Sequence, residues 1–396
     1  MGRPPDARAG SLALIAGVVL VPGLSAHERR FSTRASAEEL WAALDVASSP
    51  SGRAALWAAR GLAEDTRALR RFSAYLSQAR SFYFASAGID VLSRPLASYY
   101  SVLNLAKAWL TLSDPSITDP TPPPPIKGKQ PLKRKKLRHG TSDELDASKQ
   151  RYYFSQERLA FQPDGVFSEI AKRSGPGFSY AQKKEVSVAE LAPYLCETHD
   201  EYESAIQLRP RLIPLQSLEV WRGKTPGPGG KGELGALWLR AEVAAGTLTA
   251  RNISPANLLK SAHHFGACFN HVSSPHQDLH SYETGPLPYK GRNPNPVLPD
   301  LVGLFERSLI HVNRSAGSHR YFLVLDKRRN LLSQEAVSFA VLHHLSEMVR
   351  YRPEQVERLA GERWSWLLGT WIPRALENSL LTYATRILDR ELRIYS

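Results

Sequence analysis

One segment, residues 94–112, constrains the fold more than any other part of the chain. Its apolar residues recur every three or four positions, in two stripes instead of one. The stripes consist of Leu96, Tyr99, Leu103, Ala106 and Leu110, and of Val102, Leu105, Trp109 and Leu112. A helix that is apolar on two sides packs in the interior of a domain. The pattern therefore predicts a central helix, which the sequence Ser93-Arg94-Pro95 starts with a cap followed by proline.

The flanking sequence predicts a mostly helical fold. Residues 37–87 show helical periodicity, and Ser36 with Glu39 has the spacing of a capping box. Further helices are predicted at 254–272, from Ser333 to about Arg352, and at 354–368 and 374–393. Short strands are predicted at 158–162 and 320–325, and 212–221 with 234–243 suggest a hairpin. The expected fold class is therefore α+β, predominantly helical, with a helical bundle and a small inserted antiparallel sheet.

Composition shifts divide the chain into five segments. Residues 1–36 form an N-terminal extension, either signal-like or produced by an artefactual start, and 37–112 form the N-terminal helical part. Residues 113–140 are a proline-rich basic loop, and 141–253 are a mixed segment with short strands. Residues 254–396 are predicted to form a C-terminal helical part that packs on the N-terminal helices.

The N-terminal sequence and the number of cysteines indicate the cellular compartment of the protein. Leu12 to Val21 is an apolar run behind two arginines, which is too short to span a bilayer. It is similar to a secretory signal, but Leu24 occupies a position where cleavage favours a small residue. Two cysteines in 396 residues imply no disulfide framework. The expectation is a cytoplasmic protein with no transmembrane segment, and export through the N-terminal run stays open.

The net charge of +13 is concentrated in one place. Seven cations and no carboxylate lie between positions 127 and 138, namely Lys127, Lys129, Lys133, Arg134, Lys135, Lys136 and Arg138. Such a run can bind the phosphates of RNA. No aromatic residue interleaves it, so base stacking is not indicated there. The alternative is a solvated loop that its own repulsion keeps extended.

Several short motifs resemble the YaaC-like family of bacterial proteins. They are QARSFY at 78–83, RPL at 94–96 with YY at 99–100, LNLAKA at 103–108, HG at 139–140, and LS with VRY at 345–351 before Pro353. The resemblance extends from about 78 to 353 and leaves the first 36 residues outside. Because no biochemical activity is associated with the family, the resemblance implies a fold more than a function.

The stretch YYSVLNLAKAWL at 99–110 also resembles the second helix of HEPN domains. That resemblance implies a helical bundle, a homodimer and, in many members, metal-independent RNA cleavage by an Arg and a His four to six residues apart. Arg134 and His139 have this spacing. A histidine can act as the base for the 2′-hydroxyl, while an arginine binds the phosphate. Arg314 and His319 have the same spacing, so the motif is weak by itself. The alternative function is a non-catalytic interaction or scaffold protein that binds nucleic acid or a protein partner.

Three polar residues of the central helix are candidates for a cleft. Tyr100, Asn104 and Lys107 share one helix face. They either line a groove opposite His139, or form a solvent edge on which Asn104 satisfies a backbone group.

A histidine-rich stretch is a candidate zinc site. His264, Cys268 and His271 share one face of the helix predicted over 254–272, and imidazole and thiolate suit Zn²⁺. The spacing fits no known zinc finger, and a lone cysteine is more often a core residue. No other cofactor is indicated, because P-loop and dinucleotide-binding glycine patterns are absent from the sequence. Arg350 and Arg352 are expected to interact with the dipole at a helix end, without a catalytic role.

Overall fold

The computed structural model describes residues 12–13, 36–63, 65–119, 139, 141–144, 153–174, 184–208, 211–227, 232–274, 276–290, 294, 297, 300–301, 303–304, 308–314, 318–326 and 332–388. Helices are numbered in chain order as α1 (Ala37–Ser48), α2 (Pro50–Ala59), α3 (Thr66–Gly88), α4 (Arg94–Ser113), α5 (Val166–Ser174), α6 (Val188–Leu191), α7 (His199–Ile206), α8 (Ala245–Ala250), α9 (Pro255–Ser261), α10 (His263–Gly266), α11 (Gln334–Tyr351), α12 (Pro353–Gly361) and α13 (Ile372–Leu388). Short 3₁₀ turns occupy Phe154–Gln156, Ala192–Tyr194 and Cys196–Thr198, and a π-helix occupies Leu367–Trp371.

Strands are numbered as β1 (Leu12–Ala13), β2 (Thr141–Glu144), β3 (Arg158–Phe161), β4 (Lys184–Ser187), β5 (Leu212–Pro214), β6 (Ser217–Pro226), β7 (Glu233–Ala244), β8 (Phe269–Val272), β9 (Leu279–Thr284), β10 (Leu287–Tyr289), β11 (Ile310–Arg314) and β12 (Ser318–Val324). All the strand pairs described are antiparallel. The described part of the chain is thus mostly helical with small antiparallel sheets, which confirms the α+β prediction.

The chain forms two compact units. The helical unit contains the described residues of Ala35–Pro210 and Leu332–Leu392, and the sheet unit contains those of Arg211–Leu331 together with β1. These groupings are not the five segments expected from the sequence, whose boundaries stay predictions.

Helix α4 is the centre of the helical unit. It packs against α3, α11 and α13, and fifteen of its twenty residues are buried. Tyr99, Leu105 and Leu110 are fully buried at 0% exposure. The prediction of an interior helix is confirmed, because both apolar stripes have a neighbouring helix to bury them.

Local capping signals fix several helix starts. Ser36 and Glu39 form the predicted capping box of α1, and the Ser333 side chain accepts a hydrogen bond from Ala336 N–H at the start of α11. The predicted Ser93 cap is wrong in detail. Ser93 precedes α4, but its hydroxyl makes no capping bond and instead donates to Asp90 Oδ2 at 3.4 Å.

A small sheet lies beside these helices in the same unit. Its strand order is β2-β3-β4, and β2 also contacts α11. Helix α5 follows β3 after a short turn and packs against α4 and α11. This sheet and α5 hold His139 against the centre of the bundle.

The sheet unit contains the predicted hairpin. Strands β6 and β7 pair from Ser217↔Glu242 to Pro226↔Glu233 in a sheet of order β1-β6-β7-β9-β8, with β10 on β7. A second sheet has the order β11-β12-β5. One face of the hairpin packs on a core that includes Leu239 and Phe265. Gly223 is required under the Trp238 ring, since a Cβ there would approach the ring to 2.6 Å.

The helix predicted over 254–272 is wrong in its second half. It ends at Gly266, and residues 269–272 form β8, which pairs with β9. Pairing with a strand ten residues later outweighs local helical periodicity. Within the described ranges, no helix combines the length and the apolar character needed to cross a bilayer.

Candidate functional site

His139 is held in place by its backbone and by the sheet that follows it. Its carbonyl oxygen accepts a hydrogen bond of 3.0 Å from Phe167 N–H at the start of α5. Two residues later, Thr141 begins β2 and pairs with Phe161 of β3. These attachments place the imidazole against the buried middle of α4.

Three rings meet at this point. The phenol oxygen of Tyr99 and Nδ1 of His139 are hydrogen-bonded, and the two rings stack with centroids 5.6 Å apart. His343 of α11 completes the cluster at 5.0 Å from the Tyr99 ring and 5.3 Å from the His139 ring. His139 is half-buried, while Tyr99 and His343 are 0% and 3% exposed. His139 is therefore the most exposed of the three side chains.

The charges around the cluster favour a neutral imidazole. Burial lowers the pKa of His139, and the cations of Lys107 and Arg350 lower it further. Burial raises the pKa of Tyr99 well above 10, with a further contribution from the Glu347 carboxylate. At neutral pH the site thus holds an uncharged histidine and an uncharged phenol, with the cations of Lys107 and Arg350 and the carboxylate of Glu347 nearby.

A carboxylate links two members of the site along one face of α11. Glu347 Oε1 lies 3.9 Å from His343 Nε2 and accepts a 2.7 Å hydrogen bond from Arg350 Nη1. The spacings of four and three residues place these side chains on one helix face. Arg350 also donates to the Tyr351 hydroxyl at 2.7 Å, so the guanidinium is fixed from two sides.

A second ionic cluster backs the first. His344 Nε2 lies 3.1 Å from Glu157 Oε2, and Arg352 Nη1 donates to both Glu157 oxygens at 2.6 and 2.7 Å. Burial alone would raise the pKa of Glu157, but hydrogen bonds from His344 and Arg352 and their charges bring it below its usual value. His343 and His344 are adjacent on α11, so this buried pair fixes the rotation that turns His343 toward Tyr99.

The expectation for Arg350 and Arg352 is incomplete. Both residues lie at the end of α11 as predicted, but each makes a specific ion pair, with Glu347 and Glu157 respectively. Their pairing, in addition to the helix dipole, explains their placement.

The three cleft candidates have different environments. Tyr100 stacks on Phe82 at 5.2 Å, and Asn104 is buried with its Nδ2 donating to the Tyr100 carbonyl at 2.8 Å. Lys107 is half-buried, with Nζ 5.6 Å above the Tyr75 ring centroid, and its charge lowers the pKa of His139. The hydrogen-bond partner of His139 is Tyr99, the residue before Tyr100.

The remaining nucleic-acid candidates lie outside the described residues. These are Arg134 and the basic run Lys127, Lys129, Lys133, Lys135, Lys136 and Arg138. The second Arg-x₄-His pair is placed elsewhere: Arg314 ends β11 and His319 lies in β12, in the sheet unit.

The predicted zinc ligands do not share a helix face. His264 lies in α10, Cys268 follows that helix, and His271 lies in β8 with its ring 6.0 Å from that of His280. In the part of the chain that the structure describes, no three His, Cys, Asp or Glu side chains are grouped so that they could hold a metal ion. Zinc is therefore not part of the function proposed below.

The sequence interpretation missed Tyr99, His343 and Glu347. Tyr99 lies in one of the two apolar stripes, and His343 and Glu347 lie in the helix predicted from Ser333 to about Arg352, with no role predicted for them. The available signal was the spacing of His343 and Glu347, which places an imidazole and a carboxylate on one helix face.

The comparisons with known proteins agree with the sequence motifs. The model of the family described as YaaC-like Protein matches residues 57–368, which is more than half of the chain and includes every residue of the site. No curated protein and no solved structure matches the chain. With its signature motifs on α3, α4 and α11, the chain belongs to the YaaC-like protein family.

Proposed function

We propose that this protein cleaves single-stranded RNA without a metal ion, in the manner of HEPN ribonucleases, with His139 as the base. The observation that supports the proposal best is the environment of His139. Its pKa is lowered by burial and by two cations, and its ring is held by Tyr99. A base must be neutral at the working pH, and a phosphodiester requires nearby positive charge.

The hydrogen bond to Tyr99 bears on which nitrogen acts. When neutral His139 carries its proton on Nδ1, it donates that proton to the phenol oxygen. This tautomer leaves the lone pair of Nε2 to accept a proton. The raised pKa of Tyr99 keeps the phenol protonated over the same pH range. Tyr99 is thus a positioning residue for the base.

The proposed reaction is a transesterification within the RNA. Nε2 of His139 takes the 2′-hydroxyl proton, the 2′-oxygen bonds to phosphorus, and the bond from phosphorus to the 5′-oxygen breaks. The departing 5′-oxygen takes a proton from water. The products are a 2′,3′-cyclic phosphate and a 5′-hydroxyl end. Lys107 and Arg350 stabilise the negative charge that develops on the phosphate.

Arg134 and the basic run belong to the proposal as phosphate contacts. Arg134 precedes His139 by five residues, and the cations from Lys127 to Arg138 would hold the backbone on either side of the reacting phosphate. A HEPN-like bundle in a homodimer, with α4 at its centre, is the proposed scaffold.

The test is cleavage of end-labelled RNA in the presence of EDTA by wild type and His139→Ala. The variant should lose roughly 100- to 10,000-fold in rate, the usual contribution of a general base. His319→Ala is the matched control, because His319 has the same Arg-x₄-His spacing in the sheet unit. It should cleave as wild type does.

Two outcomes would reject the proposal. One is equal cleavage by wild type and His139→Ala, which would trace the activity to another site or protein. The other is RNA binding by wild type without cleavage, which would favour the non-catalytic scaffold function instead.

A further inference from the structure

We propose that the exposed ring of Tyr351 is a stacking platform for an unpaired base of the RNA that His139 acts on. This inference rests on the proposed function, since it names the part of the substrate that the same site recognises. Tyr351 is unusually exposed for an aromatic residue. It is 63% exposed, and only five large hydrophobic residues are exposed in the part of the chain that the structure describes.

The ring is exposed but not free to turn. Its hydroxyl accepts a 2.7 Å hydrogen bond from Arg350 Nη2, and the Arg350 guanidinium carbon lies 4.8 Å from the ring centroid. Arg350 is itself held by Glu347. An aromatic ring fixed before binding loses little conformational entropy when a flat ligand stacks on it.

The ring also lies beside the proposed reaction centre. Arg350 contacts Tyr351 directly and is paired with Glu347, which lies 3.9 Å from His343, and the His343 ring is 5.3 Å from the His139 ring. A nucleotide whose phosphate is held by Arg350 therefore has its base within reach of the Tyr351 ring. The Arg350 guanidinium, which lies over the Tyr351 ring, extends the surface on which a base can stack, because arginine and aromatic side chains both stack on bases.

This arrangement selects single strands. A base inside a duplex presents its face to its neighbours and has none available for Tyr351, whereas an unpaired base has an open face. Stacking is tolerant of sequence, since every base has such a face. The substrate class is therefore unpaired RNA without strong sequence preference at this position.

Binding is measured by fluorescence anisotropy in a His139→Ala background, so that no cleavage occurs. The probe is a short labelled RNA of mixed sequence, alone or annealed to its complement. Adding Tyr351→Ala should weaken binding of the single strand by roughly 5- to 100-fold, which corresponds to the loss of one stacked base. Tyr351→Phe keeps the ring beneath Arg350 and loses only the hydrogen bond that helps to fix it, so it should weaken binding clearly less than Tyr351→Ala does.

Phe84→Ala is the matched control. Phe84 is also exposed beneath an arginine, Arg80, but that arginine pairs with Asp45 of α1 and has no part in the proposed site. It should leave single-strand binding unchanged. In a set of probes, an abasic nucleotide is placed at each position in turn. At one position it should weaken binding to the His139→Ala parent, and at that same position it should have no effect on binding to the variant that also carries Tyr351→Ala.

The two proposals can fail separately. Equal single-strand affinity for the parent and Tyr351→Ala overturns the platform, whatever the cleavage assay shows. If RNA binding depends on Tyr351 but the wild type cleaves no RNA, the stacking platform is supported and the ribonuclease function is rejected. Equal loss of single-strand and duplex affinity in Tyr351→Ala also overturns the platform, because the ring would then act on the backbone and not on a base.

Discussion

The phenol oxygen of Tyr99 is the hydrogen-bond partner of Nδ1 of His139, forty residues further along the chain. The bond joins the buried part of α4 to His139, which lies two residues before the start of β2. Tyr99 also packs edge-on against Phe339 of α11 at 5.5 Å, so its ring is held independently of the hydroxyl. The ring supports the core, and the hydroxyl orients His139.

Tyr99→Phe separates these two roles. The ring contacts survive, while the hydrogen bond to His139 is lost. The expected loss in the free energy of unfolding is about 1 kcal/mol, the net value of one such bond. RNA cleavage should fall by more than this loss of stability explains, because the phenol oxygen no longer holds the His139 ring in place. Urea denaturation and cleavage rates measure the two effects.

Tyr100→Phe is the control for that experiment. Tyr100 is the next residue on α4, and its ring stacks on Phe82. Its hydroxyl has no assigned role in the site, so cleavage should be unchanged. Equal losses of activity in both variants would contradict the orienting role of Tyr99.

Glu157→Gln tests the buried ion pair behind the site. At neutral pH the variant leaves the charge of Arg352 without its buried carboxylate, which typically costs about 3–5 kcal/mol. Glu185→Gln is the control: Glu185 pairs with Arg158 at 3.2 Å, but both side chains are well exposed. Such a surface pair contributes about 1 kcal/mol or less.

The difference between wild type and Glu157→Gln should depend on pH. The pKa of Glu157 is lower in the folded protein than its ordinary value of 4.5. The carboxylate therefore contributes its full stability above the unfolded value, and that contribution is lost as the pH falls through the folded pKa. Denaturation curves from pH 7 to pH 3 should converge at the acid end. A difference that stays constant would show that the charge of Glu157 is not the stabilising feature.

Local signals explain the part of the fold that could be predicted. The interior position of α4 follows from its two apolar stripes, and the Ser36 and Ser333 caps need only neighbouring residues. Strand β8 was missed because four residues reading FNHV have no strong periodicity of their own. Their conformation comes from pairing with β9, from Phe269↔Thr284 to Val272↔Ser281. Such nonlocal pairing is not encoded in a short window.

The surroundings of His139 could not be predicted, for the same reason. The spacing of Arg134 and His139 makes His139 a candidate, and the sequence predicts that it faces Tyr100, Asn104 and Lys107. Its hydrogen-bond partner is Tyr99, which lies in an apolar stripe. A buried tyrosine packs like a core residue, and sequence periodicity does not show where its hydroxyl will find a partner. His343 was hidden in the same way, because α11 must first be docked on α4 before the two histidines meet.

Glu197 is a buried carboxylate on which three helical segments converge. Its oxygens accept hydrogen bonds from Gln334 Nε2 at 3.0 Å, Trp371 Nε1 at 3.3 Å and Asn378 Nδ2 at 3.1 Å. Trp371 ends the π-helix, a feature often found where a helix is adapted to a particular contact. Glu197→Ala removes the acceptor from all three donors and should cost about 3–5 kcal/mol.

Glu201→Ala is the comparison for Glu197. Glu201 pairs with Arg374 at 2.6 Å, but the two side chains are 28% and 39% exposed. Its removal should cost about 1 kcal/mol or less. Thermal denaturation of both variants decides between a specific role of Glu197 and a general sensitivity of this region to losing a carboxylate.

Lys107 provides the most direct test of the electrostatics at His139. Its cation lowers the pKa of the imidazole, so Lys107→Met, which removes the charge and keeps a side chain of similar length, should raise that pKa toward the ordinary value of 6.5. The pH dependence of the His139 NMR chemical shifts, which are assigned by comparison with His139→Ala, measures this pKa change without any activity assay. Lys224→Met is the control, because Lys224 is exposed and paired with Glu233 in the sheet unit.

The acid limb of the pH–rate profile for RNA cleavage should move to higher pH in Lys107→Met and stay in place in Lys224→Met, since a base must lose its proton before it can act. An unchanged or lowered titration midpoint for His139 in Lys107→Met would mean that the Lys107 cation does not keep the histidine neutral.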